Sequence, residues 1–291
     1  MAQSAKRLPQ NAPGDFFVDA SCIDCDACRQ IAPTVFADHG SQSSVRQQPA
    51  NPAERLRALM ALVACPTASI GTESHGSASV AVDAFPEPIL GNIYFCGFTA
   101  ESSFGAWSYV LRRPKHQGGN ILVDSPRFTA PLVRRIEQLG GIELMFLSHR
   151  DDIADHRKFA AHFHCPRVMH EADGAERLGM ERVIGGEGPV RLDEDLLVIP
   201  TPGHTRGHQV LLHRDNVLFT GDHLAWSPKR ETLIAFRDAC WYSWPVQTRS
   251  MRKLLDYRFA SVLPGHGRIH IGSADETHVH LQKCVEWMKT V

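Results

Sequence analysis

Several things are scarce in this chain of 291 residues, and each scarcity narrows its function. No run of about 18 apolar residues occurs, so no membrane-spanning helix is expected. Net charge is almost absent: 31 Lys and Arg against 32 Asp and Glu leave −1. Such a chain has no field to gather nucleic acid or anionic lipid, so neither partner is expected. The first residues, Met1-Ala-Gln-Ser-Ala-Lys-Arg-Leu-Pro9, lack the apolar middle of a secretory signal, and a cytoplasmic location is the expectation.

What is present is an ordinary globular composition, 43% apolar and 22% charged, in a chain long enough for more than one domain. The eight cysteines are uneven. Cys22, Cys25, Cys28 and Cys65 fall in the first quarter, whereas Cys96, Cys165, Cys240 and Cys284 are scattered and read as small buried apolar groups. Clustered cysteines in a reducing compartment point to metal rather than disulfides.

Three thiolates at C-x2-C-x2-C can wrap one face of a cubane cluster, and Cys65-Pro66 supplies a fourth. Four cysteines also bind zinc, although zinc sites usually pair two C-x2-C knuckles. Asn51–Ala64 reads as a helix with Asn51 as its cap and Pro52 at its first position, and it would deliver Cys65 to the loop. Residues 73–90, rich in small residues and prolines, read as a connection, with Val80–Val82 as an edge-strand candidate and His75 exposed.

The densest chemistry lies in Ser148–His156, Ser-His-Arg-Asp-Asp-Ile-Ala-Asp-His, directly after the strand-like run Ile142–Leu147. A helix is expected over Ile153–Phe163, with Asp152 and Asp155 in its first turn and Asp151 four residues from Asp155 on one face. So many carboxylates and imidazoles at one buried junction would repel or stay unsatisfied without a cation among them. Three later apolar runs each end in a glycine and then a ligand-type residue: Pro202-Gly-His204, Thr220-Gly-Asp222 and Pro264-Gly-His266. At such strand ends the backbone can approach closely. Short strands at Ile93–Cys96, Trp107–Arg112 and Asn120–Asp124, and a helix at Pro131–Leu139 stopped by Gly140-Gly141, complete the pattern.

Residues 14–72 resemble single-cluster bacterial ferredoxins, in which the fourth cysteine of the first run is lost. Here its place is Ala32, followed by Pro33. The resemblance implies one 4Fe-4S cluster on Cys22, Cys25, Cys28 and Cys65. Residues from about 91 to 291 resemble the metallo-beta-lactamase superfamily. The expected fold is therefore α+β: a 1–13 leader, a ferredoxin-like domain at 14–72, a 73–90 linker, and a metallo-beta-lactamase-like αββα sandwich at 91–291.

That second resemblance implies one or two metal ions, zinc, iron or manganese. His149 and His204 would hold the first, Asp155, His156 and His266 the second, and Asp222 would bridge. The family motif H-x-H-x-D-H is altered here: Asp151 stands at the second histidine and two residues are inserted before Asp155-His156. Diiron members use a carboxylate at that position, which is compatible with iron.

Among neighbouring residues, His223, Trp241, Tyr242 and Trp244 are candidates to line the substrate, the tryptophans equally able to pack the core. Asp124 is expected to support the site by hydrogen bonds and His208 to lie behind it. His162 and His164 read as helix-end groups, and His278 and His280 as solvated. The first expectation for function is a metal-dependent hydrolase acting on an ester, thioester or similar bond of a small-molecule substrate, with a metal-activated water oriented by Asp155. The second is an oxidoreductase whose non-haem iron site receives electrons from the cluster, with a redox partner protein. A third reading, a binding module with a decayed site, is disfavoured because six ligand positions remain.

Overall fold

The computed structural model describes residues 1–74 and 76–291, so the expectation for His75 lies outside the described residues. The chain divides into two compact units. One comprises Met1–Arg112 with Pro126–Gly141, the other Arg113–Ser125 with Ile142–Val291.

In the first unit, β1 (Phe16–Val18) leads to α1 (Ala27–Ile31), the hairpin of β2 (Phe36–Asp38) and β3 (Ser43–Val45), α2 (Pro52–Ala64) and β4 (Ile70–Thr72). β1 and β4 pair antiparallel, and α1 packs on α2. Asn51 caps α2 as its sequence requires, its Oδ1 accepting from Glu54 N at 2.9 Å, and Cys65 follows the last turn. Phe16, Ile31, Val35, Phe36, Val45 and Ala61 fill a small core.

Within the expected connection, residues 79–83 and 87–90 form regular structure. α3 (Ser79–Asp83) occupies the place of the expected edge strand, with Ala81 buried and Val80 exposed. Val80-Ala-Val82 is too short for periodicity to separate helix from strand. β5 (Glu87–Leu90), β6 (Ile93–Phe95) and β7 (Tyr109–Leu111) follow, with β6 antiparallel to both neighbours. The expected helix is α4 (Ala130–Gln138), which buries Leu132, Val133 and Ile136 and ends at Gly140 and Gly141, both at positive φ.

The second unit holds two sheets. β8 (Ile121–Val123), β9 (Leu144–Phe146), β10 (Arg167–His170) and β11 (Arg182–Ile184) run parallel, with α5 (His156–Phe163) between β9 and β10 and α6 (Ala175–Leu178) between β10 and β11. The second sheet begins with β12 (Val190–Arg191), β13 (Leu196–Pro200), β14 (Gln209–His213) and β15 (Val217–Gly221), all antiparallel. After the hairpin of β16 (Ala225–Ser227) and β17 (Thr232–Ile234) comes α7 (Trp244–Lys253). β18 (Ser261–Pro264) then joins β15 in parallel and β19 (His270–Ile271) closes the edge. α7 and the final helix α8 (Ala274–Met288) cover this sheet, burying Met251, Leu281 and Val285 against Ile199, Val210, Leu218 and Val262.

Two local expectations change. α5 begins at His156, three residues later than the periodicity implied, because Ala154 takes positive φ and a helix cannot run through it. His280 is half-buried rather than solvated: its ring meets Trp226 at 4.8 Å and its Nδ1 lies 3.1 Å from Thr232 Oγ1.

Candidate metal centre and cysteine site

Cys22, Cys25, Cys28 and Cys65 are all free thiols and line one cavity with Ser43, Thr67 and Ser69. The backbone amides of Ser43 and Ser69 donate to Cys22 Sγ and Cys65 Sγ at 3.4 and 3.3 Å. Burial pushes the Cys25 thiol up to about 12 and Cys28 higher still. Such thiols ionise only beside a cation, so four sulfurs lining one cavity, two of them accepting from backbone amides, suit an iron-sulfur cluster, whose potential such hydrogen bonds tune.

The second site lies in the other unit, where β9, β13, β15 and β18 end. His149 and His204, both essentially unexposed, present Nε2 at 3.7 and 3.6 Å from Asp222 Oδ2, with ring centroids 4.7 Å apart. Asp151 Oδ2 lies 3.9 and 3.7 Å from the same two nitrogens while its side chain remains 44% exposed. On the other side of Asp222, His266 Nδ1 approaches both carboxylate oxygens at 2.7 and 2.9 Å. Asp152 joins them, so two donor groups, His149–His204–Asp222 and Asp152–Asp222–His266, share one carboxylate.

The glycines before the donors make this closeness possible. A Cβ on Gly265 would stand 2.6 Å from Asp152 Oδ2 and 3.0 Å from Asp222 Oδ1, and one on Gly221 would meet Ser148 Oγ at 2.5 Å.

The donors fit metal ions. His149 Nε2, both ring nitrogens of His204 and Asp152 Oδ2 are buried without a hydrogen-bond partner, a cost that a cation removes. Three carboxylates converge beside them. Burial, opposed by Asp222, lowers His149 to about 4, so its imidazole is neutral and free to ligate. Burial also pulls Asp222 upward, but His266, His149 and His204 outweigh it and hold that carboxyl well below the usual range. Burial and the Asp222 charge push Asp152 well above its ordinary value.

Supporting groups orient the donors. Asp124 Oδ1 accepts from Ser148 N at 2.7 Å and Oδ2 from Ser148 Oγ at 3.0 Å, and Ser148 Oγ is 2.9 Å from His149 Nδ1. His208 accepts from Asp222 N through Nε2 at 3.3 Å and places Nδ1 3.0 Å from Thr201 Oγ1.

Four expected site residues lie elsewhere. Asp155 pairs with Lys158 at 2.7 Å at the start of α5. His156 turns into the unit, its Nδ1 3.1 Å from Arg167 Nη1, because the late helix start rotates both residues away; Asp152 stands in their place. His223 is fully buried and stacks on His208 at 5.4 Å instead of facing a substrate. Trp244 packs on Trp287 at 6.0 Å and donates Nε1 to Met288 O, a core role. By contrast, Trp241 and Tyr242 are 63% and 50% exposed, both backbone amides donate to His204 O, and the Trp241 ring lies 6.2 Å from His204.

Comparison with known proteins bears on the cysteine region and on the fold. Residues 18–72 match the model of the 4Fe-4S single cluster domain of Ferredoxin I. A curated relative, the hydroxyacylglutathione hydrolase of Mesorhizobium japonicum (strain LMG 29417 / CECT 9101 / MAFF 303099), is 31% identical over 120 residues, 40% of this chain and 47% of that protein. The match thus spans about half the length of that relative. Among solved structures, DIM-1 metallo-beta-lactamase exposed to ceftazidime superposes with a TM-score of 0.52 at 20% identity, over 69% of this chain and 95% of that one. The metallo-beta-lactamase of Hirschia baltica gives 0.51 at 13% identity over the same shares. The chain therefore carries a single-cluster ferredoxin-type region at 18–72 and a metallo-beta-lactamase fold over most of its length.

Proposed function

We propose that the protein is a metal-dependent hydrolase cleaving an ester, thioester or similar bond in a small molecule. The observation that carries this reading is the sharing of Asp222 by two donor groups, in which His149 Nε2, the His204 ring nitrogens and Asp152 Oδ2 are buried without a hydrogen-bond partner. His149, His204 and Asp151 would hold one ion, Asp152 and His266 a second, and Asp222 would face both. A bound metal supplies Lewis acidity that polarises a carbonyl and lowers the pKa of water.

The chain's own residues do the rest. Asp222, held ionised by His266 and the neighbouring imidazoles, keeps negative charge between the two halves. Asp124 and Ser148 fix the His149 ring, and His208 fixes the Asp222 backbone. Trp241 and Tyr242 offer exposed apolar surface beside His204 for the substrate to lie against. The hydrolase name of the Mesorhizobium relative and the fold support the same class of chemistry. A cytoplasmic setting, which keeps the cysteines reduced, suits it.

A second reading, an oxidoreductase with a non-haem iron centre fed by the cluster and a redox partner protein, is favoured by one feature. Asp151 stands at the motif's second histidine, beside His149 and His204, and carboxylate-rich sets suit iron or manganese better than histidine-only sets. The deciding experiment assays thioester and ester cleavage by anaerobically purified protein, with its cluster oxidised and then reduced. Cleavage lost in His204→Ala and indifferent to cluster redox state supports hydrolysis. No cleavage, together with reoxidation of the reduced cluster by dioxygen or a persulfide that requires His266, supports the second reading.

A further inference from the structure

His149 and His204 come from loops 55 residues apart in sequence, yet their Nε2 atoms must converge on one point. One buried carboxylate joins those two loops. Asp173, 2% exposed at the turn after β10, accepts three hydrogen bonds: from Arg150 N at 3.0 Å, Thr205 Oγ1 at 2.6 Å and Gly207 N at 2.6 Å. The first bond fixes the residue after His149, the others the residues one and three after His204.

All three partners donate, so the group they surround must be acceptor-only. An ionised carboxylate is, and an amide is not: its NH2 would face one of the donors. Gly207 closes on it so tightly that a Cβ there would stand 2.5 Å from Asp173 N. The negative charge of Asp173 also reaches His149, where it favours positive charge. Gln209 ties the same loops through Ser148 O and Leu147 O, each at 2.9 Å. Those bonds hold the strand before His149, whereas the Asp173 bonds flank both imidazoles.

We infer that Asp173 is a positioning residue that sets the geometry and metal affinity of the His149–His204 half of the centre while leaving the Asp152–His266 half untouched. This rests on the metal-centre reading above. Loss of such outer hydrogen bonds weakens metal binding by about 10- to 100-fold.

The test equilibrates the full chain, cluster intact and anaerobic, against buffers of graded free zinc, and counts zinc per chain by elemental analysis, which cluster iron does not confuse. Asp173→Asn should weaken one of two binding steps by about 10-fold or more. His204→Ala should remove that same step, and Asp152→Ala the other. Thr205→Ser, which keeps a hydroxyl donor, should retain wild-type affinity, whereas Thr205→Val should follow Asp173→Asn. A wild-type chain whose zinc binding is insensitive to His204→Ala overturns the metal-centre reading itself. Wild-type binding that requires His204 but is unchanged in Asp173→Asn, or weakened equally at both steps, overturns only the assignment of Asp173.

Discussion

Asp222 and His266 are in direct contact, Oδ1 to Nδ1 at 2.7 Å, although 44 residues separate them in sequence. The contact closes the parallel pair β15–β18 and makes Asp222 a member of both donor groups. Removing Asp222 should therefore damage both halves, whereas removing an outer donor should damage one. Asp222→Ala is expected to abolish metal binding at both positions, and His204→Ala or His266→Ala to lose about one equivalent each, measured by elemental analysis after dialysis. Asp155→Ala, which removes the pair with Lys158 outside both donor groups, should retain wild-type metal content. Metal loss in Asp155→Ala with retention in Asp152→Ala would return the second site to the expectation drawn from the motif.

The close approach at Gly265 gives a second test. The atoms that an alanine methyl would strike are carboxylate ends, Asp152 Oδ2 and Asp222 Oδ1, which can swing aside at little cost in folding. Gly265→Ala should lower metal occupancy while changing the melting temperature of the metal-free protein by only a few degrees, about 1 kcal/mol or less. A variant that melts far below wild type without changing metal affinity would show that the glycine serves packing instead.

For the cysteine site, thiolate-to-iron ligation predicts a brown protein with a broad visible band that dithionite bleaches. Cys25→Ala should remove most of that absorbance. Cys240→Ala should not, because Cys240 lies in the other unit and donates to Gly203 O. A colourless wild type carrying zinc at the four cysteines would refute the cluster.

Much of this arrangement is legible in the residues themselves. The spacing Cys22-x2-Cys25-x2-Cys28 and the helix ending at Cys65 bring four sulfurs to one cavity, as local geometry requires. The Gly-His and Gly-Asp strand ends likewise bring His204, Asp222 and His266 together. The choice between Asp152 and Asp155 was not legible, because it depends on positive φ at Ala154, a single backbone angle that delays α5. Apolar periodicity at Ile153, Phe159 and Phe163 is satisfied by either start. Asp173 was equally hidden: it belongs to no motif, and only the tertiary fold brings Arg150, Thr205 and Gly207 to its oxygens. Trp241 and Trp244 share one short segment, and α7 begins at Trp244, which packs half-buried against the core while Trp241 stays at the surface.

The last prediction concerns acid stability and the fate of His156. Its ring is 3% exposed, and burial with the neighbouring Arg167 lowers it to about 4 from an ordinary 6.5. The folded state thus resists a proton that the unfolded chain accepts. Stability is then full above pH 6.5 and falls as the pH drops towards 4, because the unfolded state binds more protons across that window. For a group with these two values the loss at pH 5 is on the order of 2 kcal/mol. Glu181 acts in the same direction at lower pH. Hydrogen bonds from Arg167 hold it at about 2, so its contribution is present above about 4.5 and disappears as the pH falls towards 2. His156→Gln keeps an acceptor for Arg167 Nη1 but cannot titrate. Thermal unfolding at pH 7 and pH 5 should therefore show a smaller drop in melting temperature for His156→Gln than for wild type, with metal content unchanged in both. An equal drop would mean that other buried histidines, such as His213, also lowered to about 4, carry the acid sensitivity. Loss of metal in His156→Gln would instead make His156 a ligand and reverse the assignment of Asp152.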